Sequence, residues 1–270
     1  MNKTTWLTQC VGVLKSGPAL ATGALLCVGL GYVLGQTLNQ AALPSDLAVL
    51  DRLDPFRYET VARRLVDKYH ALAYAKTWQR SRWLGVKTQQ IPNDVWITQE
   101  IITEVNPDLI VEAGSYHGGS ALIWAMVLSQ INPKGRVISI DVDSRVEKAK
   151  TLPIAKQMVT YLTGKSTDPA IVQKIKVAAK GKRVLVLLDS DHSKRNVLAE
   201  LETYAPLVGR GSYLIVQDTN VNGHPVLPNF GPGPMEAVEA FLETHLEFEP
   251  DRSRERMLFT VCPKGYLKRV

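Results

Sequence analysis

From Asp108 onward, short apolar runs alternate with longer amphipathic stretches. Five of the runs predict strands: "DLIVEAG", "RVISID", "MVTYLTG", "RVLVLLD" and "SYLIVQD". Helices are predicted between them, over 119–128, 168–179 and 196–204, and after the last of them, over 234–244. Strands that are nearly all apolar and are separated by helices predict a parallel sheet with helices on both faces. The predicted fold class is therefore α/β.

The end of the chain departs from this alternation. Two strand-like runs, "LEFEPD" and "RMLFTVCP", follow each other with no helix between them. Parallel strands need a long crossover, so these two runs are predicted to pair antiparallel through the "RSRE" turn. Five α/β units followed by such a hairpin form the outline of a class I methyltransferase sheet. That sheet is Rossmann-like, seven-stranded and mostly parallel, with a C-terminal antiparallel hairpin.

The N-terminal part of the chain differs in kind from the rest. Residues 16–45 contain no charged side chain, and residues 18–35 are almost wholly apolar or small. Their length is near the lower limit of about 17–25 residues for a helix that spans a membrane. Lys3 and Lys15 precede this segment, which also fits the start of a signal peptide. An uncleaved, single-pass anchor is the better prediction.

The sequence therefore divides into four predicted parts. In chain order they are an N-terminal tail (1–17), a hydrophobic helix that serves as a transmembrane anchor (18–35), a linker with N-terminal helices (36–82) and the α/β domain (83–270). The three cysteines are scattered and have no partners at zinc or disulfide-framework spacing.

Composition narrows the choice of partners. The net charge of +6 and the pI near 9.2 would suit a nucleic acid or an anionic membrane surface. The basic residues are spread along the chain among acidic ones, without a basic arm, so no nucleic-acid partner is expected.

Gly31 and Gly35 have the G-x-x-x-G spacing that packs two helices together. A simple small-residue helix is the preferred interpretation, and a homo-oligomer is left open.

The turn "VEAGSYHGGSAL" between a strand and a helix is the first candidate for ligand binding. Its glycines, Gly114, Gly118 and Gly119, do not match the G-x-G-x-x-G pattern of dinucleotide sites. With the Glu112 carboxylate beside it, the turn suits a ligand without a diphosphate. S-adenosylmethionine (SAM) is one such ligand, and a helix N-terminus can receive its carboxylate. The glycines alone would equally allow tight packing of the strand against the helix.

Asp141 ends the next predicted strand, where an acid commonly holds ribose hydroxyls. A solvated loop acid is the alternative interpretation of this residue.

Two later strands end in acids. Asp189 follows the fourth apolar run, and Gln217 and Asp218 follow the fifth. Since ligands bind beyond the carboxyl ends of parallel strands, these oxygen donors predict a site for Mg²⁺ or a similar divalent cation. His192 lies soon after Asp189, within reach of a substrate hydroxyl as a general base. Helix capping or a surface salt bridge would explain each residue singly, but their convergence favours a site.

From about Trp83 to the C-terminus, the chain resembles the cephalosporin hydroxylase family. That family has the SAM-dependent methyltransferase fold and is related to macrolide-sugar O-methyltransferases. The matching stretches occur in order: "WLG", "PNDVWITQEII", "PDLIVEAGSYHGGSAL", "ISIDVDSR", "LLDSDHSKRNVLAELETYAPLV", "SYLIVQDT", "NGHP", "GPGPMEAVEAF" and "RERMLFTVCPKGYLKR". The turn "VEAGSYHGGS" is also similar to the SAM turn of catechol and caffeoyl-CoA O-methyltransferases.

The resemblance implies a SAM site and a metal site. The implied SAM contacts are Glu112, Gly114, Ser115, Tyr116, Ser120 and Asp141. The implied Mg²⁺ ligands are Asp189 and Asp218, with His192 as the base. One position departs from the family, because Gln217 stands where members typically have Glu before the second metal-ligand Asp. A glutamine can still offer a carbonyl oxygen as a third ligand, but the site loses one negative charge.

The predicted function is that of a membrane-tethered, SAM-dependent and divalent-metal-assisted O-methyltransferase. Its substrate would be a hydroxyl of a sugar, a natural product or a lipid-linked molecule. The alternative, motivated by Gln217 and the anchor, is a catalytically silent SAM-binding module. A literal hydroxylase is a weaker third interpretation, because no H-x-D…H facial triad stands out.

The orientation of the predicted anchor depends on two opposing arguments. The charge rule weakly places the α/β domain outside the cytosol, since Lys3 and Lys15 precede the span. SAM, however, is made in the cytosol. On the cofactor argument, the domain is predicted on the cytoplasmic face of the membrane.

Overall fold

The computed structural model describes residues 55–143 and 145–270. The chain divides into a unit that ends at Arg64 and a unit from Leu65 to Val270. Of the first unit, the structure describes the beginning of one helix. The second unit contains every strand described below.

Eight α-helices occur in the described part of the chain. They are α1 (Pro55–Lys76), α2 (Pro92–Val105), α3 (Gly119–Ile131), α4 (Glu147–Thr151), α5 (Pro153–Met158), α6 (Pro169–Ala179), α7 (Lys194–Tyr204) and α8 (Pro234–Leu242). The predicted helices at 119–128, 168–179, 196–204 and 234–244 are present with small changes at their ends. Local signals fix several starts. A proline opens α2, and Asp168 caps α6 by accepting a 2.8 Å hydrogen bond from the Ala170 N–H.

Nine strands form two sheets in the described residues. They are β1 (Arg82–Trp83), β2 (Val86–Lys87), β3 (Leu109–Ala113), β4 (Arg136–Asp141), β5 (Val159–Thr163), β6 (Val184–Leu188), β7 (Tyr213–Val216), β8 (Phe248–Pro250) and β9 (Tyr266–Arg269). Strands β1 and β2 form a small antiparallel hairpin that the sequence did not predict. The other seven form one sheet in the order β5-β4-β3-β6-β7-β9-β8.

The large sheet confirms the predicted fold class. Neighbouring strands from β5 to β7 are parallel, and β9 is antiparallel to both β7 and β8. This is the class I methyltransferase-like arrangement. The chain winds outward from β3 to β5 and then returns to place β6 on the other side of β3. The reversal lies between β3 and β6, and ligands of such sheets bind beyond the carboxyl ends of the strands at this point.

The core lies on both faces of the large sheet, because successive residues of a strand point to opposite faces. In β3, Leu109 and Val111 belong to the core cluster shared with α6, α7 and α8. Ile110, between them, belongs to the cluster shared with α2 and α3. All five residues of β3 and of β6 are buried. The nearly continuous apolar runs in the sequence reflect this double-sided burial.

The predicted position of the last strand is wrong. The strand that pairs with β8 is β9, at Tyr266–Arg269, rather than the apolar run "RMLFTVCP". That run is an irregular segment because Asp94 of α2 holds its backbone and side chains. The Asp94 carboxylate accepts hydrogen bonds from the Val261 N–H (2.9 Å) and the Thr260 hydroxyl (2.5 Å). Phe259 packs edge-on against Tyr69 of α1, at 5.3 Å between ring centroids.

The predicted localisation as a single-pass membrane protein is corrected by the structure. Among the residues it describes, none of the helices is both long enough and apolar enough to cross a membrane. The hydrophobic helix predicted at 18–35 lies outside the described residues.

Candidate active site

A cavity of about 860 Å³ opens at the carboxyl ends of the parallel strands, at the reversal between β3 and β6. Most of the residues predicted from the sequence line it. They are Gly114, Ser115, Tyr116, Ser120, Asp141, Asp189, His192 and Asp218. The doubly wound topology therefore brings together side chains that are far apart in the sequence, at the place where such folds bind ligands.

The turn after β3 lies in direct contact with Asp189, the first residue after β6. Gly114 has a φ of +103°, and a Cβ at this position would lie 1.8 Å from the carbonyl oxygen of Asp189. The Asp189 N–H donates a 2.7 Å hydrogen bond to the Ala113 carbonyl. A side chain at residue 114 is thus excluded by both backbone conformation and space. This contact fixes the SAM-type turn and the predicted metal ligand Asp189 relative to each other.

Asp141 holds the other side of the same turn. Its Oδ2 accepts a 2.6 Å hydrogen bond from the Tyr116 N–H, and its Oδ1 accepts a 3.0 Å hydrogen bond from the Asp143 N–H. Tyr116 itself has a φ of +45°. The Tyr116 ring is flanked by two cations, the Lys87 ammonium at 5.2 Å and the Arg145 guanidinium at 5.7 Å from its centroid. Asp141 therefore both lines the cavity and fixes the backbone of the turn at Tyr116.

Glu112 is the one predicted SAM-contacting residue that does not line the cavity. It is almost completely buried, and its carboxylate accepts hydrogen bonds from the Trp124 Nε1–H (2.8 Å) and the Ser139 hydroxyl (2.5 Å). Burial raises the pKa of the Glu112 carboxyl, against the opposing effect of these donors. Ser139 also bonds Ser115 at 2.6 Å. In this structure Glu112 therefore supports the turn through the hydrogen bonds that run from Glu112 to Ser139 and from Ser139 to Ser115.

Three titratable side chains converge on the cavity. One ligand atom each from Asp189, His192 and Asp218 lies within 4.8 Å of the other two. The His192 Nε2 is 3.2 Å from the Asp218 Oδ2. Burial raises the pKa of the Asp189 carboxyl well above its usual range, and the negative charges of Asp218 and Glu112 raise it further. Two carboxylates placed so close together form a site whose electrostatic potential favours a cation.

The chemistry of these donors fits a divalent cation. Mg²⁺ prefers hard oxygen ligands and keeps several waters, so the carboxylates of Asp189 and Asp218 suffice as protein ligands. The imidazole of His192 is a nitrogen donor that Mg²⁺ does not favour. Its place beside Asp218, with Nε2 3.2 Å from that carboxylate, instead suits a general base held in a fixed orientation.

Gln217, predicted as a third metal ligand, does not line the cavity. Its side chain is buried, and its Oε1 accepts a 2.9 Å hydrogen bond from the Gln90 Nε2. It lines a small recess beside the cavity, together with His70, Tyr74 and Phe259. Asp218 lines both the cavity and this recess, whereas Gln217 lines the recess; its predicted role as a metal ligand stays a prediction.

The sequence did not single out the segment before α2, which forms part of the cavity wall. Lys87 and Thr88 line the cavity, and Gln90 donates to both Asp189 and Gln217. Trp78, which stacks on Tyr74 with ring centroids 5.5 Å apart, lines both the cavity and the recess. The only signal for Lys87, Thr88 and Gln90 is the polar run "KTQQ" shortly before Pro92, and such runs are usually solvated loops.

Two serines of the cavity wall contact a buried acid that the sequence did not point to. Glu200 of α7 accepts hydrogen bonds from the hydroxyls of Ser166 and Ser190 (2.6 Å from Ser190). Both serines line the cavity. Burial raises the pKa of Glu200. The loops after β5 and β6 are therefore joined through one carboxylate at the cavity wall.

The protein is methyltransferase-like, of class I. This class is defined by a parallel sheet whose strand order reverses and by a glycine turn after the first central strand. An acid follows the next strand, and paired carboxylates follow the later strands. The chain matches the family model described as rhamnosyl O-methyltransferase/CmcI over residues 75–270. The chain belongs to this family.

The family includes close sequence relatives in mycobacteria. A rhamnosyl O-methyltransferase of Mycobacterium leprae (strain TN) is 39% identical over 212 residues, which cover 76% of this chain and 90% of the relative. A rhamnosyl O-methyltransferase of Mycobacterium tuberculosis (strain ATCC 25618 / H37Rv) is 38% identical over 213 residues, which cover 76% of this chain and 85% of the relative.

Solved structures show the same fold. A CmcI-N160 apo structure superposes with a TM-score of 0.55 at 20% identity, covering 72% of this chain and 78% of the other. A cmcI-D160 Mg-SAM structure gives a TM-score of 0.55 at 18% identity, covering 73% and 83%. At these identities the similarity concerns the fold.

These relatives confirm the resemblance to the cephalosporin hydroxylase family and the predicted enzyme class, a SAM-dependent O-methyltransferase. They give no support to the alternative of a catalytically silent module. The predicted membrane association and the homo-oligomer are likewise unsupported. The predicted domain boundary at residue 83 stays a prediction; the family match begins at residue 75.

Proposed function

We propose that this protein transfers a methyl group from SAM to a sugar hydroxyl, with the help of a divalent cation. The observation that carries the proposal is the convergence of Asp189, His192 and Asp218 in the cavity that the SAM-type turn also lines. The sugar acceptor is supported by the two mycobacterial relatives, which are named as rhamnosyl O-methyltransferases.

The residues of the turn have the positions needed to hold SAM. The N-terminus of α3, with Ser120 in its first turn, points its free N–H groups and dipole toward the cavity and so suits a carboxylate. Asp141 is placed to accept hydrogen bonds from ribose hydroxyls. Gly114, Ser115 and Tyr116 supply the backbone surface between these two points. When bound, SAM supplies an electrophilic methyl group on a sulfonium.

Asp189 and Asp218 would hold the divalent cation, which when bound lowers the pKa of a hydroxyl that it contacts. His192 takes the hydroxyl proton at Nε2, which lies 3.2 Å from the Asp218 carboxylate. The acceptor oxygen forms a bond to the methyl carbon as the carbon–sulfur bond breaks, and S-adenosylhomocysteine (SAH) leaves with the electron pair on sulfur.

Trp78 and Gln89 are placed to receive the acceptor. Both line the cavity and the adjoining recess, close to Asp218. The indole of Trp78 presents an apolar face to the C–H groups of a sugar ring, whereas the amide of Gln89 offers a donor and an acceptor. An aromatic face and a few convergent polar groups are the usual composition of a small-molecule site.

Methyl transfer from labelled SAM to a panel of rhamnosylated acceptors tests the proposal. We expect His192→Ala to lower kcat by about 10²–10⁴-fold, the usual contribution of a general base. Asp218→Asn should lose activity that added Mg²⁺ does not restore. Glu249→Gln, an exposed acid on the edge strand β8, serves as the matched control and should keep normal activity. Unchanged turnover in His192→Ala would show that the proposed base is wrong.

A further inference from the structure

Gln90 occupies a fixed and buried position at the edge of the cavity. It precedes the N-cap residue of α2, and only 4% of its surface is exposed. Its backbone N–H donates a 3.1 Å hydrogen bond to the Ser81 hydroxyl. The backbone from which the side chain projects is therefore held in place, next to Asp189 and Gln217, which lie 99 and 127 positions further along the chain.

The side-chain amide of Gln90 uses both of its hydrogens. Its Nε2 donates to the Asp189 Oδ2 at 3.0 Å and to the Gln217 Oε1 at 2.9 Å. An amide nitrogen has two donors and no acceptor capacity. The opposite orientation would place the Gln90 carbonyl oxygen against two acceptors, one of them a carboxylate, so the chemistry of the neighbours fixes the orientation of the amide.

We propose that Gln90 is a positioning residue of the cation site, an inference that rests on the proposed function. Its amide orients the Asp189 carboxylate and holds Gln217 outside the coordination shell. The Gln90 amide donates to Oδ2 of Asp189 and to Oε1 of Gln217, and so holds each side chain in one orientation. We assign Oδ1 of Asp189 to the cation. The protein ligands of the cation would then be Asp189 and Asp218.

This role explains how the site tolerates glutamine at residue 217. A glutamate in the coordination shell would contribute a negative charge to cation binding, and its loss would weaken that binding directly. A residue that only accepts a hydrogen bond from Gln90 contributes no such charge. Outer partners that orient a ligand typically change metal affinity by about 10–100-fold when they are removed. On this view, Gln90 matters more for cation affinity than Gln217 does.

The dissociation constant for Mn²⁺, measured by the loss of the free-ion EPR signal on titrating the full chain in the presence of SAH, tests the inference. Gln90→Met keeps the length of the side chain but removes both donors. We expect it to weaken Mn²⁺ binding by about tenfold or more. Gln217→Met, the matched variant at the other end of the same hydrogen bond, should bind Mn²⁺ within about threefold of the wild type, because no ligand is lost. Asp218→Asn should abolish binding.

A second readout separates positioning from general damage. SAH affinity, measured by calorimetry without divalent cation, should stay near the wild-type value in Gln90→Met, because the hydrogen bonds of Gln90 go to Ser81, Asp189 and Gln217 and not to the glycine turn. Wild-type Mn²⁺ affinity in Gln90→Met would overturn the positioning role alone. A loss in Gln217→Met as large as that in Asp218→Asn would make Gln217 a ligand and would overturn it even if Gln90→Met did not fold. Absence of Mn²⁺ binding by the wild type would refute the cation site itself, and this inference with it.

Discussion

Gly114 shows most directly how one residue constrains the site. Its φ of +103° disfavours any other residue, and the Asp189 carbonyl oxygen lies 1.8 Å from where a Cβ would be. Gly181 also has a positive φ, +71°, but no atom lies within 4 Å of its Cβ position. Substituting alanine at each of these two glycines therefore separates two effects on the free energy of unfolding: backbone strain, present at both positions, and steric clash, present only at Gly114.

We expect Gly114→Ala to lower the free energy of unfolding by about 2–6 kcal/mol, from strain and overpacking together. Gly181→Ala should cost only about 1–2 kcal/mol, the conformational part. Urea unfolding followed by circular dichroism measures both. Equal losses in the two variants would mean that the turn after β3 can move away from Asp189, contrary to the close contact seen here.

At the residue scale, the sequence pointed to the side chains that end strands and missed Gln90, which links two of them, Asp189 and Gln217. Asp141, Asp189 and Asp218 could be predicted because each follows an apolar run, and the sheet topology then fixes where such residues lie. Gln90 follows no strand and belongs to no motif. Its partners are 99 and 127 positions away, so only the folded chain reveals the contact.

At the scale of elements, the internal strands could be predicted and the final one could not. A strand buried on both faces must be apolar along its length, and β3 and β6 show this clearly. The run "RMLFTVCP" is apolar for another reason. It covers α1 and α2 as an irregular segment, with its backbone held by Asp94. An apolar run predicts burial, but hydrogen-bond partners decide whether it is a strand.

Asp94 therefore joins the start of α2 to the C-terminal segment through a buried carboxylate. It is 2% exposed, and burial raises its pKa to about 6, although the Thr260 and Tyr266 hydroxyls and the Val261 N–H oppose the rise. A carboxyl whose pKa is higher in the folded state binds more protons there than in the unfolded state. Its contribution to stability is therefore lost as the pH rises from the unfolded value of about 4 to the folded value near 6.

We expect the free energy of unfolding of the wild type, relative to Asp94→Asn, to fall by about 2 kcal/mol between pH 4 and pH 6 and to stay constant above pH 7. The asparagine does not titrate, so the difference between the two proteins isolates this carboxyl from the other buried acids. Urea unfolding across this pH range, with EDTA present, measures it. A difference that is flat with pH, or that rises with pH, would contradict a raised pKa.

At the scale of the whole molecule, the site is assembled from distant parts of one sheet. The turn after β3 is predicted to receive SAM, and the ends of β6 and β7 are predicted to receive the cation. Gln90 connects the residues that follow β6 and β7. Each proposed ligand binds the folded chain and should therefore stabilise it. Although the two ligands share one cavity, each should act through its own binding residues.

Thermal unfolding tests this division. A ligand present at 100 times its Kd stabilises the folded state by about 2.7 kcal/mol, which raises the Tm of a unit of this size by about 5–10 °C. We expect SAH to give such a rise in the wild type and in Asp218→Asn alike. Added Mg²⁺ should raise the Tm further in the wild type only, and EDTA should reverse that increment. An equal Mg²⁺ increment in Asp218→Asn would place the cation elsewhere, whereas loss of the SAH increment in that variant would mean that the two sites cannot be separated.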